Sequence, residues 1–291
     1  MNQQPSGILF GLAAFVTWGF LPAYWKQLQD VAPLEILCHR IVWSCVFLCL
    51  IVSVQKRWQE VKQIVQNSSN LKKLCCSGLL IGFNWFIYIW AVNTEHVVET
   101  SLGYYITPMV NVLIGFLLLG EKFNRLQLLA ILCALAGVSY SLFAYGDLPF
   151  FALTLAFTFA FYGYARKKIQ VAPIPGLLVE TCVLVIPALG YIFYRQVLFQ
   201  SLFLSDLNIT FWLIGAGVAT SLPLLWFAAA ARKLKLSTVG ILQYLAPTIA
   251  FTLGVFVYRE PFDWHNAITF ALIWLGVFIY CAESIMRARQ V

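Results

Sequence analysis

Apolar runs of about 20 residues, separated by short polar turns, fill this chain from end to end. Ten are marked, over 6–25, 34–54, 73–93, 98–119, 126–144, 148–165, 176–194, 209–231, 237–258 and 265–285. A helix needs about 20 apolar residues to cross the hydrocarbon layer, so each run predicts one crossing. The ~10-residue alternation of barrel strands is missing from the pattern. The sixth run is the shortest and carries Thr154 and Thr158. The connections are too short to hold a separate soluble domain. The expected fold is all-α and integral to the membrane, with ten transmembrane helices. Between the second and third runs, Trp58, Val61, Ile64 and Val65 share one helical face, which predicts an amphipathic helix on the bilayer surface over 56–66. The apolar stretch 196–204 is expected to lie along the surface in the corresponding connection of the second half.

The pattern repeats. Tyr105-Ile106-Thr107-Pro108, followed by Gly115 and Glu121, returns as Tyr244-Leu245-Ala246-Pro247, Gly254 and Glu260. The same shift carries Gly137-Val138 onto Gly276-Val277. Weaker matches pair Trp18 with Tyr162 and Glu35 with Glu180. Five crossings per copy start the second copy on the opposite face, so the halves, 1–145 and 146–291, are expected to be inverted repeats. Inverted repeats are a transporter architecture, with the site between the halves.

Composition agrees with a membrane protein: 61% hydrophobic and 11% charged residues, against roughly a quarter charged in soluble domains. The net charge of +7 follows topology. One set of turns holds Lys56, Arg57, Lys62, Lys72, Lys73, Lys122, Arg125, Arg166, Lys167, Lys168, Arg232, Lys233, Lys235, Arg287 and Arg289; the alternate set holds Lys26, Arg195 and Arg259. Basic turns stay cytoplasmic, so both termini are expected in the cytoplasm of a multi-pass plasma (inner) membrane protein. A nucleic-acid partner is excluded because the charges sit on short, separated turns. No basic residue precedes the first run, so no cleaved signal peptide is expected. The eight cysteines form no CxxC pair and read as apolar filler; no cofactor or metal is expected.

Ionisable residues within spans need a reason to be there. Glu35 and His39 lie four apart on one helical face, with Arg40 next to them. They either snorkel to the interface or line an outward cavity, where Glu35 and His39 would titrate. Glu180 mirrors Glu35 near the other mouth and has the same two readings. Pro108 and Pro247 each remove a backbone donor inside a long helix and predict kinks. Their neighbours Tyr104, Tyr105, Asn111, Gln243 and Tyr244 are candidate cavity walls, with helix packing as the alternative. Trp18, Asn84 and Trp85 add deep aromatic and amide groups suited to a partly apolar organic solute. Glu121 and Glu260 end their helices beside basic residues, where a local ion pair is expected and a gate latch is the sharper alternative.

On these residues the chain resembles the drug/metabolite transporter superfamily, and within it the EamA-type permeases. The motifs are Trp18-Gly19, the helices holding Pro108 and Pro247, and Gly120-Glu121. It looks most like the RarD group, through 82–93 (GFNWFIYIWAVN), 101–111 (SLGYYITPMVN), 119–122 (LGEK), 161–168 (FYGYARKK) and 243–248 (QYLAPT). The second copy departs from the pattern with Arg259-Glu260. The resemblance implies ten helices in two inverted halves, a central cavity walled partly by the fourth and ninth spans, and movement of small organic solutes, often export.

The expected function is a secondary permease, an exporter of metabolites or drugs working by alternating access. No GxxxxGK[ST] loop is present to drive it with nucleotide. Expected partners are the lipid bilayer and a small organic solute, with protons as a candidate coupling ion and a homodimer as the alternative to a monomer. A non-transporting membrane subunit or sensor is the alternative function, ahead of a channel or an enzyme: no nucleophile–base pair, HExxH or charged ring stands in the sequence.

Overall fold

The computed structural model describes residues 5–93, 97–145, 150–198, 201–258 and 264–288. Among them the α-helices, in chain order, are α1 (Pro5–Trp25), α2 (Pro33–Val54), α3 (Trp58–Gln66), α4 (Ser68–Asn93), α5 (Val97–Leu119), α6 (Arg125–Tyr145), α7 (Phe150–Lys168), α8 (Pro173–Leu198), α9 (Leu207–Lys233), α10 (Leu236–Gln243), α11 (Leu245–Thr252) and α12 (Trp264–Ala288). A single turn of π-helix, Leu253–Val257, continues α11. Helices satisfy their own backbone groups, which lipid cannot do for them.

Among the described residues, seven stretches are long and apolar enough to cross a membrane: Pro5–Leu28, Pro33–Val54, Ser68–Ala91, Arg125–Ala144, Pro173–Leu198, Leu207–Lys233 and Leu236–Val257. Gly103–Leu119 and Ala267–Tyr280 are shorter apolar helices. The short sixth run falls on α7, which ends in Arg166, Lys167 and Lys168. Leu9, Phe143, Ile186, Phe193, Leu207 and Phe278 all face outward, a large apolar exterior that water would not tolerate and lipid would.

α3 lies where the pattern predicts an amphipathic helix. Val61 and Ile64 pack against Leu74, Ile169, Val171 and Val179, while Trp58 and Val65 stay exposed. Arg57 Nε donates to Glu60 Oε1 at 2.6 Å, and this bond holds the Glu60 carboxyl below its ordinary range. The stretch 196–204 departs from expectation. α8 runs on to Leu198, and beyond residues 199 and 200, which lie outside the described residues, Ser201 and Phe203 turn in against α2. Ser201 Oγ donates to Glu35 Oε1 and the Phe203 ring sits 4.5 Å from His39. A carboxylate and a ring that would otherwise be buried without cover draw this segment inward.

Packing is reciprocal between the two halves. α6 packs on α12, α2 on α8 and α5 on α10. The α1–α9 contact has a counterpart in α4–α7, and α5–α7 in α1–α11. Small residues set the closest approach. A Cβ on Gly137 would stand 3.0 Å from the Thr269 carbonyl, and one on Gly276 would stand 2.6 Å from the Ala130 carbonyl. Thr269 follows Ala130 by the same shift that carries Gly137 onto Gly276. The Tyr244 hydroxyl donates to the carbonyl of Tyr105, its own repeat mate, at 3.2 Å.

The two proline helices differ. α5 runs unbroken through Pro108, so no break marks that site. In the second copy the helix is interrupted at Tyr244, between α10 and α11. A tertiary seat decides the difference: Pro108 is buried, with its carbonyl close against Gly240.

Candidate functional site

Helices from both halves enclose a cavity of about 240 Å³, far above the ~30 Å³ that one water occupies in the liquid. From the first half come Trp18, Pro22 and Trp25 of α1, Arg40 of α2, Asn84, Trp85 and Tyr88 of α4, and Tyr104 and Thr107 of α5. From the second come Leu155 and Phe159 of α7, Thr220 and Leu224 of α9, Gln243 of α10, and Ala246, Pro247 and Ala250 of α11.

Three prolines shape its polarity. Pro22, Pro108 and Pro247 lack an N–H, so each leaves without its helical donor the carbonyl four residues earlier. Those carbonyls belong to Trp18, Tyr104 and Gln243, and all three residues line the cavity. Asn84 Nδ2 donates to the Leu155 carbonyl at 2.9 Å and to Thr158 Oγ1 at 2.8 Å. Gln243 Oε1 accepts from Asn111 Nδ2 at 2.9 Å. These three bonds tie α4 to α7 and α5 to α10 across the halves.

Arg40 is the cation in this lining. Its Nε donates to Thr220 Oγ1 at 2.9 Å, and its guanidinium carbon lies 4.8 Å from the Trp25 ring and 5.2 Å from the Trp85 ring. Arg40 and His39 are adjacent in sequence yet face apart, because consecutive helical residues differ by about 100°.

Below the cavity an aromatic floor closes the bundle. Trp18 sits 5.8 Å from Phe159 and 5.7 Å from Phe227, and Tyr162 stacks on Phe227 at 5.9 Å. The end bearing the chain termini is then tied shut. Lys167 Nζ donates to the carbonyls of Ala231 and Leu234, and Arg232 Nη1 donates to that of Val171 at 2.9 Å. Glu121 makes the strongest tie. Its carboxylate accepts from Leu236 N at 2.7 Å, Ser237 N at 3.1 Å and Ser237 Oγ at 2.6 Å. It thus caps α10 from the end of α5, and its negative charge suits a helix N-terminus. The expected ion pair with Lys122 or Arg125 does not form. Gly120, at φ +63°, makes the turn that aims it. Glu260 and Arg259 lie outside the described residues.

Of the predicted residues, Trp18, Arg40, Asn84, Trp85, Gln243 and Pro247 meet around the cavity. Asn111 and Pro108 stand one layer behind it, buried between α5 and α10. Tyr105 turns to Phe270, 5.3 Å away, and Tyr244 is fully buried; their neighbours Tyr104 and Gln243 take the lining. Glu35 pairs with Arg195 at 3.1 Å, away from the cavity. His39 is buried, and neither ring nitrogen has a partner among the described residues. Glu180 pairs with Arg166 at 3.2 Å, both fully buried, and also accepts from Ser77 and Tyr162. Arg166 is therefore no surface charge, although its place among the basic turns suggested one. Tyr88, Thr107 and Thr220 are lining residues that sequence reasoning missed. The spacing of Trp85 with Tyr88, and of Tyr104 with Thr107, puts each pair on one face and was the available signal.

A model of the EamA-like transporter family matches the chain twice, over residues 5–143 and 149–281. The chain is 42% identical over 290 residues to Protein RarD of Escherichia coli (strain K12), covering 99% of this chain and 98% of that protein. It is 44% identical over 291 residues to the uncharacterized transporter YojE of Bacillus subtilis (strain 168), covering 99% and 97%. A solved crystal structure with 19% identity superposes with a TM-score of 0.74 over 98% of this chain and 99% of that one, a likeness of fold alone.

Proposed function

The chain belongs to the EamA-like transporter family, and from that premise we propose that it is a secondary transporter that moves a small organic solute by alternating access. In this reading ten helices cross the inner membrane as two inverted five-helix halves, 1–145 and 146–291. Both termini are cytoplasmic by the distribution of basic turns, and the cavity faces outward. The observation that carries the reading is a cavity walled by both halves, with one end tied across them by Glu121 of the first half on Leu236 and Ser237 of the second. Reciprocal packing supports it further: two halves that can exchange shapes have two conformations close in energy. The aromatic, carbonyl and amide lining suits an organic solute rather than a bare ion. Export follows from the resemblance to the EamA permeases. Proton coupling through Glu35 or His39 has less support, because both stand behind the cavity wall.

Counterflow tests this. Proteoliposomes preloaded with a mixture of unlabelled aromatic and aliphatic metabolites are expected to accumulate the labelled counterparts of at least one transiently, above protein-free vesicles. No counterflow across the mixture, at any imposed pH or voltage gradient, would contradict the proposal.

A further inference from the structure

We propose that the cavity selects organic anions, with Arg40 receiving a carboxylate and the surrounding rings receiving an aromatic or apolar body. The inference rests on the transporter reading for its biological sense, and on the cavity alone for its chemistry.

A guanidinium has five N–H donors. Arg40 uses one, Nε to Thr220, and its two terminal nitrogens make no hydrogen bond among the described residues. No carboxylate pairs with it there. The buried acids among the described residues are committed elsewhere: Glu35 to Arg195, Glu180 to Arg166, Glu121 to the start of α10, and Glu283 to Asn124 and Gln127. An uncompensated charge within a membrane helix is costly. Stacking over Trp25 and Trp85 returns part of that. The other buried charges among the described residues are given a partner inside the protein; Arg40 is given a hollow. A carboxylate entering that hollow meets a preset bidentate fork. The Nε bond to Thr220 and the two indole faces fix the plane of the fork, so little side-chain freedom is lost on binding. Tyr88 and Tyr104 lie beyond, 6.2 Å apart between ring centroids, and offer flat apolar surface to the rest of the molecule. A cationic amine of the same shape would meet Arg40 as a like charge.

The test uses three indoles that differ only in their end group: indole-3-acetate, indole-3-acetamide and tryptamine, with benzoate and phenylacetate as smaller acids. Binding to the purified full chain in nanodiscs is read by thermal shift and by equilibrium binding of labelled acid. At least one acid should bind about tenfold or more tighter than its amide, with the amine weaker still. Arg40→Gln should abolish that preference, and Arg40→Lys, which keeps the charge but not the fork, should restore part of it. Equal binding of acid and amide to the wild type overturns the inference, as does binding by none of the acids, or acid binding that survives Arg40→Gln. Should Arg40→Gln fail to fold, the acid–amide contrast on the wild type decides alone. Acid binding through Arg40 without flux in vesicles would remove the transporter reading and leave the site. Flux of neutral or cationic solutes with no preference for acids would do the reverse.

Discussion

Arg166→Ala is expected to cost about 3–5 kcal/mol of stability, the loss that follows when one partner of a buried ion pair is removed. Arg166 and Glu180 are each only 1% exposed. Glu180 collects the Arg166 guanidinium, the Ser77 hydroxyl and the Tyr162 hydroxyl, which joins α8 to α4 and α7. Gly78 packs directly against the Glu180 backbone. An uncompensated carboxylate would be left in an apolar interior. The measurement is the melting temperature of purified protein in detergent, expected to fall by roughly 10 °C. The paired replacement Arg166→Met with Glu180→Leu should recover most of that, because two apolar groups of similar size remove both charges together. If the single variant melts with the wild type, the cluster does not hold the fold, and Glu180 returns as a candidate for the solute pathway.

Glu121→Ala should both destabilise the chain and loosen its closed end. The carboxylate satisfies two buried backbone donors and one hydroxyl at the start of α10, and leaving such donors unpaired costs about 1–3 kcal/mol. Glu121→Gln, which keeps an acceptor but not the charge, should lose less. The seat is built for this residue: a Cβ on Gly115 would come within 2.7 Å of Glu121 Oε2, so Gly115→Ala should reproduce part of the effect. Because α5 and α10 belong to different halves, the bond lost is one that must break whenever this end opens. Thermal melts would read the stability, and faster hydrogen exchange at Leu236 and Ser237 would read the loosening. Unchanged exchange at those two amides in Glu121→Ala would show that the tie is dispensable.

Hydropathy and the internal shift made much of the scaffold legible. Apolar runs mark helices because lipid forces each segment to satisfy its own backbone. The repeat of Gly137 as Gly276 reports a packing contact that each half must make with the other. α3 was readable from four apolar residues, though only Val61 and Ile64 turn inward. What sequence concealed was the facing of side chains around each helix. Tyr104 and Tyr105 cannot be told apart by composition, yet Tyr105 meets the Phe270 ring on α12 while Tyr104 lines the cavity. Glu35, His39 and Arg40 read as one cluster, but Arg195 and Phe203, more than a hundred residues away in the chain, claim the first two and leave Arg40 to the cavity. Arg166 read as a surface charge for the same reason: its partner, Glu180, is on another helix. The repeated prolines each stand four residues after a lining residue, Tyr104 and Gln243, and Pro22, unremarked in the sequence, stands in the same way to Trp18.

The central claim is that one cavity between the halves opens to each side of the membrane in turn, and accessibility at Tyr104 tests it most directly. In a chain without its native cysteines, Tyr104→Cys places a single thiol on the cavity wall at an exposed position. An impermeant thiol reagent should label it in the resting protein from the side opposite the termini only, and from the side of the termini once Glu121→Ala releases the closed end. Labelling from neither side, or from both sides at once in the resting protein, would contradict the account.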